Sequence, residues 1–327
     1  MRGHLRKLSA LAVAFVCLAV LSVSAHATNL NVYCGGKRLP NTINGALKML
    51  NRQGPNTLTV SGTCKENVVI KSFDNLTLQT VQATLGASIN DASGGTADVI
   101  VIQDSTRITI QGFTINGGGE GVLCFDNSLC RLNGNTIQGS SGAGVRLSRA
   151  HAAFAGNVIQ NHSYVGLQIG NASQAYTNGD TIQGNSGGVL LSGGSFFLAA
   201  ATTVQNNSSM GMVIADNSTL GSGGGNVITG NGDTGVYVAR ASMASFGNGD
   251  TVTANGYGLA EYGGDGVALG NLSFVRVNGA NISGNFSGTD VNCGGPLAAT
   301  EIDRDFGGTT NCVVPSRPSS QAKRRVR

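Results

Sequence analysis

The sequence has no tryptophan, 5% aromatic residues and 12% charged residues, against about 25% charged in an ordinary soluble chain. Scarce charge leaves no basic stripe: positions 29–314 carry 13 basic and 17 acidic residues, and the basic excess sits at the two ends of the chain. This argues against a nucleic-acid partner. No helical apolar period runs through the chain, which argues against helical hairpins. CxxC pairs and clustered histidines are missing, so no zinc site is expected. Beyond the first residues, no stretch could span a bilayer.

Glycine is abundant, at 50 of 327 residues, and it is ordered. One anchor reads GNTIQG from Gly134, GNVIQN from Gly156, GDTIQG from Gly179, ATTVQN from Ala201, GNVITG from Gly225, GDTVTA from Gly249 and GANISG from Gly279. The steps are 22, 23, 22, 24, 24 and 30 residues. A second anchor, Gly followed by apolar-x-apolar, recurs in phase at Gly144, Gly166, Gly187 or Gly188, Gly211, Gly235 and Gly266. Short alternating segments between Gly, Asn and Ser read as strands and turns. One such unit cannot bury its own apolar face, so neighbours must stack. The absence of a Leu-dominated consensus excludes a leucine-rich repeat, and the period is too short for a propeller blade. What remains is an all-β coil of three short parallel strands per rung. Roughly ten rungs at ~4.8 Å give a rod on the order of 50 Å long.

On these Gly-Asn-x-Ile rungs, over positions 56–292, the chain resembles the right-handed single-stranded parallel β-helix family, the pectate-lyase-like superfamily. The resemblance implies a scaffold shared by lyases, hydrolases, epimerases, tailspikes and adhesins, so it leaves function open. The Gly-His-Gly and Arg-Ile-Lys motifs of polygalacturonases, the Arg-x-Pro-x-x-Arg of pectate lyases and the Asp-Pro-His of uronan epimerases are absent. His151 and His162 stand alone on their rungs.

The domain plan has three parts. Arg2, Arg6 and Lys7 precede an apolar run at 8–23 and then Ala25, His26 and Ala27, the pattern of a secretory signal over 1–27. The helix domain occupies 28–314, with an N-terminal cap at 28–55 and a C-terminal cap at 293–314. A basic Pro/Ser tail at 315–327 follows. Ile43, Ala46, Leu47 and Leu50, after Asn41 and Thr42, predict a short amphipathic capping helix. Export, periplasmic or extracellular, makes six cysteines meaningful. Sequence proximity suggests Cys34 with Cys64, Cys124 with Cys130 and Cys293 with Cys312; for the second pair, buried free thiols are the alternative.

Two polar columns read as structural corners: Asn135, Asn157, Asp180, Asn226, Asp250 and Asn281, and Asn161, Asn185, Asn206, Asn231, Asn255 and Asn285. The candidate chemistry lies in the turn after the strand of the second anchor. There Asp104, Asp126, Arg149, Asn171, Gly193, Asp216, Arg240 and Asn271 align. Asp104 and Asp126, about 5 Å apart on adjacent rungs, would raise one another's pKa and divide acid and base roles on a glycoside. Arg149 would hold a substrate carboxylate. Arg146, Gln168 and Tyr237, with Asp216 and Arg240, would extend a shallow sugar-binding groove. The same Asp-x-Ser pattern also reads as a plain Asx-turn.

Three functions follow: a secreted rod that binds polysaccharide or cell-envelope glycan or plays a structural role there; a lyase, hydrolase or epimerase acting on uronic-acid glycans; or a self-associating adhesin with Leu190, Val213 and Ala268 beside Tyr237 as its apolar face. No cofactor motif is present, and calcium is left open.

Overall fold

The computed structural model describes residues 27–81, 86–257, 264–294, 298–302 and 307–312. The signal segment and the basic tail expected from the sequence lie outside them. The chain winds as a right-handed parallel β-solenoid whose turns each supply one strand to three sheets, here called A, B and C. One turn runs Leu129–Asn133 in sheet A, Thr136–Gln138 in sheet B and Val145–Ser148 in sheet C. The next repeats it as His151–Ala155, Val158–Gln160 and Val165–Gly170. All named strand pairs among the described residues are parallel, and inward residues stack from rung to rung: Leu132 meets Phe154, Ile137 meets Ile159 and Leu147 meets Ile169. The register slips by one residue only after Ala199, where Ala200 meets Gly224. Among the described residues sheet C holds ten strands, from Val68–Lys71 to Val291–Cys293.

The alternation seen in the sequence is the alternation of inward and outward side chains. Ile115, Ile137, Ile159, Ile182, Val204, Ile228, Val252 and Ile282 form one continuous inward stack, all fully buried. Burying each side chain stabilises the coil by about 2 kcal/mol, and only stacking makes that burial available.

The second-anchor glycines are explained by close approach. A Cβ on Gly144 would lie 2.5 Å from the Nε2 of His162 and 2.7 Å from the carbonyl of Gly166. On Gly188 it would lie 2.2 Å from the carbonyl of Gly211. Of the two alternatives in that rung, Gly188 is the aligned one, because Val189 pairs with Leu167.

Both polar columns are inward ladders, and the structure corrects their membership. The first runs Asn135, Asn157, Asp180, Thr202, Asn226, Asp250; all but Thr202 accept the backbone N–H of the corresponding corner in the rung before at about 3 Å, while the Thr202 hydroxyl meets that of Thr177 at 2.9 Å. In the last rung Ala280 takes the buried position, while Asn281 faces outward. The second runs Ser140, His162, Asn185, Asn207, Asn231, Asn255, Asn285, Asp290. Asn161 and Asn206 are not in it. They sit one residue earlier with φ of 58° and 52°, the left-handed place that Gly184 and Gly230 fill elsewhere. Asn tolerates that conformation better than other non-glycine residues.

At the N-terminal end, Thr28–Cys34 adds a parallel strand beneath Asn56–Gly62 of sheet A. The helix Ile43–Leu47 starts at Thr42, whose hydroxyl accepts the Gly45 N–H, and buries Ile43, Ala46 and Leu47. Glu66 holds its first turn, accepting from the N–H groups of Ile43 (2.6 Å) and Asn44 (2.9 Å). Disulfides join Cys34 to Cys64, Cys124 to Cys130 and Cys293 to Cys312. Cys124 and Cys130 are fully buried, and their bond ties sheet C to sheet A across one corner.

Candidate functional site

In several rungs the corner from sheet C to sheet A is built from two successive left-handed residues, whereas at Asp104 and Arg149 it has one, with φ of 48° and 52°. Asp126 and Asn127 have φ of 50° and 57°, Asp216 and Asn217 58° and 59°, Arg240 and Ala241 53° and 58°. The serine that follows points inward. Ser128, Ser173, Ser195, Ser218 and Ser242 are buried, and each hydroxyl oxygen accepts a backbone N–H from the rung before. The serine of the Asp-x-Ser pattern is thus part of the scaffold.

The candidate side chains of that corner face solvent. Asp104 is exposed and makes no side-chain hydrogen bond or ion pair among the described residues. Asp126, one rung on, is half-buried, takes the guanidinium of Arg149 as an ion pair and accepts from Gln103 Nε2 at 3.4 Å. Arg149, the residue assigned to a substrate carboxylate, therefore already faces a carboxylate of this chain. Asp216 and Arg240 repeat the motif, with Nη1 to Oδ1 at 3.1 Å. Such exposed pairs contribute little to stability.

The outward column of sheet C aligns Leu123, Arg146, Gln168, Leu190, Val213, Tyr237, Ala268 and Asn292 on consecutive strands. Arg146 to Tyr237 spans four rungs, roughly 19 Å. Arg146 turns away from Arg149 and pairs with Glu120 at 3.5 Å. Toward the C-terminal end the column opens into a cleft of about 420 Å³ lined by Tyr237, Arg240, Ala268, Gly270, Asn271 and Asn292. Small residues make it concave: a Cβ on Gly270 would already stand 2.8 Å from the Tyr237 hydroxyl. A second hollow of about 190 Å³, lined by Tyr164, Val165, Leu190, Met210 and Val213, lies on the same face and is mostly apolar.

Glu120, at the corner entering sheet C, is a candidate that no sequence motif marks. Burial pushes its carboxyl up, and the nearby Asp98 charge adds to this, while the Ala143 N–H and Arg146 pull the other way. Its only sequence signal is an acid inside the run Gly117–Gly121. No helix among the described residues is long and apolar enough to cross a membrane.

The family model of the right handed beta helix region matches residues 98–251. No curated protein matches the chain in sequence. Among solved structures, the A-module of the mannuronan C-5 epimerase AlgE6 of Azotobacter vinelandii is 13% identical, with a TM-score of 0.55 over 81% of this chain and 92% of that one. Pectate lyase Pel9A is 10% identical, with a TM-score of 0.54 over 90% and 80%. The enzymatically active domain of tailspike protein 2 of bacteriophage CBA120 is 12% identical, with a TM-score of 0.52, and this chain spans 47% of it. At such identities the likeness is one of fold. The chain is a right-handed parallel β-helix repeat protein with the pectate-lyase-like architecture.

Proposed function

We propose that this protein is secreted and binds polysaccharide along the outer face of sheet C, with the Tyr237 cleft as its principal subsite. The cleft carries the reading: one aromatic ring, the guanidinium of Arg240 and the amides of Asn271 and Asn292 surround a hollow floored by Ala268 and Gly270. An apolar ring face with a few convergent polar groups is the chemistry by which proteins hold a sugar. Leu190 and Val213 continue the apolar strip beside it. Three disulfides support export to an oxidising compartment. The epimerase and the lyase with similar folds are named for mannuronan and pectate, which supports a glycan as the ligand class.

The test is affinity electrophoresis of the mature chain in gels containing alginate, polygalacturonate, xyloglucan or β-glucan, for wild type and Tyr237→Ala. Retardation by at least one polymer is expected, weakened about tenfold in the variant, which corresponds to about 1.4 kcal/mol. Unretarded migration in every gel would overturn the proposal.

A further inference from the structure

Sheet B shows a different surface. Over nine consecutive strands, from Ser88–Asn90 to Asn281–Ser283, none of its outward positions carries a charge. Solvent-facing sheet surfaces are ordinarily kept soluble by Lys and Glu. Here one outward column is an unbroken amide relay. Asn116 donates to Asn90 at 2.6 Å, Gln138 to Asn116 at 2.8 Å, Gln160 to Gln138 at 2.9 Å, Gln183 to Gln160 at 3.0 Å and Gln205 to Gln183 at 2.8 Å. The column beside it holds Thr114, Thr136, Thr181 and Thr203, with Val158 and Val227 its only apolar members. All of these side chains are half-buried.

Gln138, Gln160 and Gln183 each use one N–H and one lone pair on their neighbours and keep one of each for a ligand, and Gln205 ends the relay as a donor. Ordering a free Gln side chain costs up to about 2 kcal/mol, and here the stack has already ordered it. A ligand that bonds to these amides meets donors and acceptors held in place and repeated at the rung spacing of ~4.8 Å. The matching partner is uncharged, extended and periodic in hydroxyl groups. An acidic glycan would find no cation on these nine strands; Lys65, outward on the strand before them, is paired in register with Asn90 at the end of the relay. A second copy of the chain would find too little apolar surface for an interface core.

We propose that the outer face of sheet B is a docking surface for a neutral polysaccharide strand lying along the rod axis. It is separate from the Tyr237 cleft on sheet C and does not depend on it. The test compares wild type, Thr181→Lys/Thr203→Lys, Gln160→Ala/Gln183→Ala and Tyr237→Ala for binding to cellulose, chitin and soluble β-glucan, with alginate and polygalacturonate as acidic controls. The lysine substitutions lie outside the amide relay, and equal melting temperatures establish that the coil is intact. At least tenfold weaker neutral-glycan binding in both sheet B variants, with any alginate or polygalacturonate binding unaltered by them, is the expected result. Absence of neutral-glycan binding by the wild type overturns the proposal, as does undiminished binding by the lysine variant. Loss of that binding in Tyr237→Ala alone assigns it to the cleft instead. Concentration-dependent dimerisation abolished by the lysines would make the occupant a second copy and equally overturn it.

Discussion

The side-chain oxygen of Asn207 holds Asn185, accepting both its backbone N–H and its amide N–H, each at 3.0 Å. Asn207 in turn donates to Asn231 at 2.9 Å and to the Ile182 carbonyl at 3.3 Å. Its sequence neighbour Asn206 is exposed in a left-handed corner and takes no part.

The two neighbours should therefore respond in opposite ways to substitution. Asn207→Ala strands several buried polar groups and should cost on the order of 3 kcal/mol or more. Asn206→Gly suits the backbone and should change stability by no more than about 1 kcal/mol. Urea unfolding of both variants checks this; equal losses would show that the ladder passes through Asn206.

His162 occupies the same ladder as a neutral ring, its Nδ1 accepting the Ser140 N–H at 3.0 Å and its Nε2 facing the Ile137 carbonyl at 3.0 Å. Burial holds its pKa down at about 4, against 6.5 ordinarily, with the Ile137 contact opposing. The unfolded chain therefore binds a proton that the folded chain refuses between these values. Stability from this site is complete above pH 6.5 and falls as pH drops toward 4, by about 3 kcal/mol in all. His162→Asn can accept and donate as Asn185 does and should lose this acid slope. Melting temperatures of the two proteins from pH 7.5 to 4.5 decide it, and parallel curves would sink the assignment. Asp180 and Glu120, whose folded pKa values burial raises, act in the opposite sense and are common to both proteins.

Gly188→Ala should be among the most damaging single substitutions. The added methyl would sit 2.2 Å from the Gly211 carbonyl and 2.4 Å from a Val204 methyl, both inside the stack. Overpacking of this kind costs about 1–3 kcal/mol where neighbours can move, and here the nearest atom is backbone. A drop of several degrees in melting temperature is expected. A wild-type melting curve would mean that the rung spacing relaxes.

Asp104→Ala/Asp126→Ala separates binding from catalysis. Under the proposed binding role, neither wild type nor variant releases reducing ends or unsaturated products from plant and bacterial polysaccharides, with or without calcium, and both bind glycan equally. Product formed by the wild type and lost in the variant would instead establish the enzymatic alternative, with Asp104 and Asp126 as the acid pair and Arg149 as their partner.

The repeat alone determined the coil, because Gly, Asn and aliphatic residues recurring at a fixed period admit few other ways of burying an apolar face. It also pointed to three short-range cysteine pairings, each matched by a disulfide in the structure. Outward positions such as Arg146, Gln168 and Tyr237 were legible too, since strand alternation has a period of two. What stayed hidden depends on single-residue offsets and on contacts across rungs. Asn161 and Asn206 look like ladder members until backbone conformation separates them from His162 and Asn207. Only the tertiary structure decided that Asp126 faces Arg149, that Arg146 joins Glu120, and that Ala268 and Gly270 open a cleft beneath Tyr237. Each of these is set by which side chains stand one rung apart, and neighbours along the axis are 20 to 32 residues away in sequence.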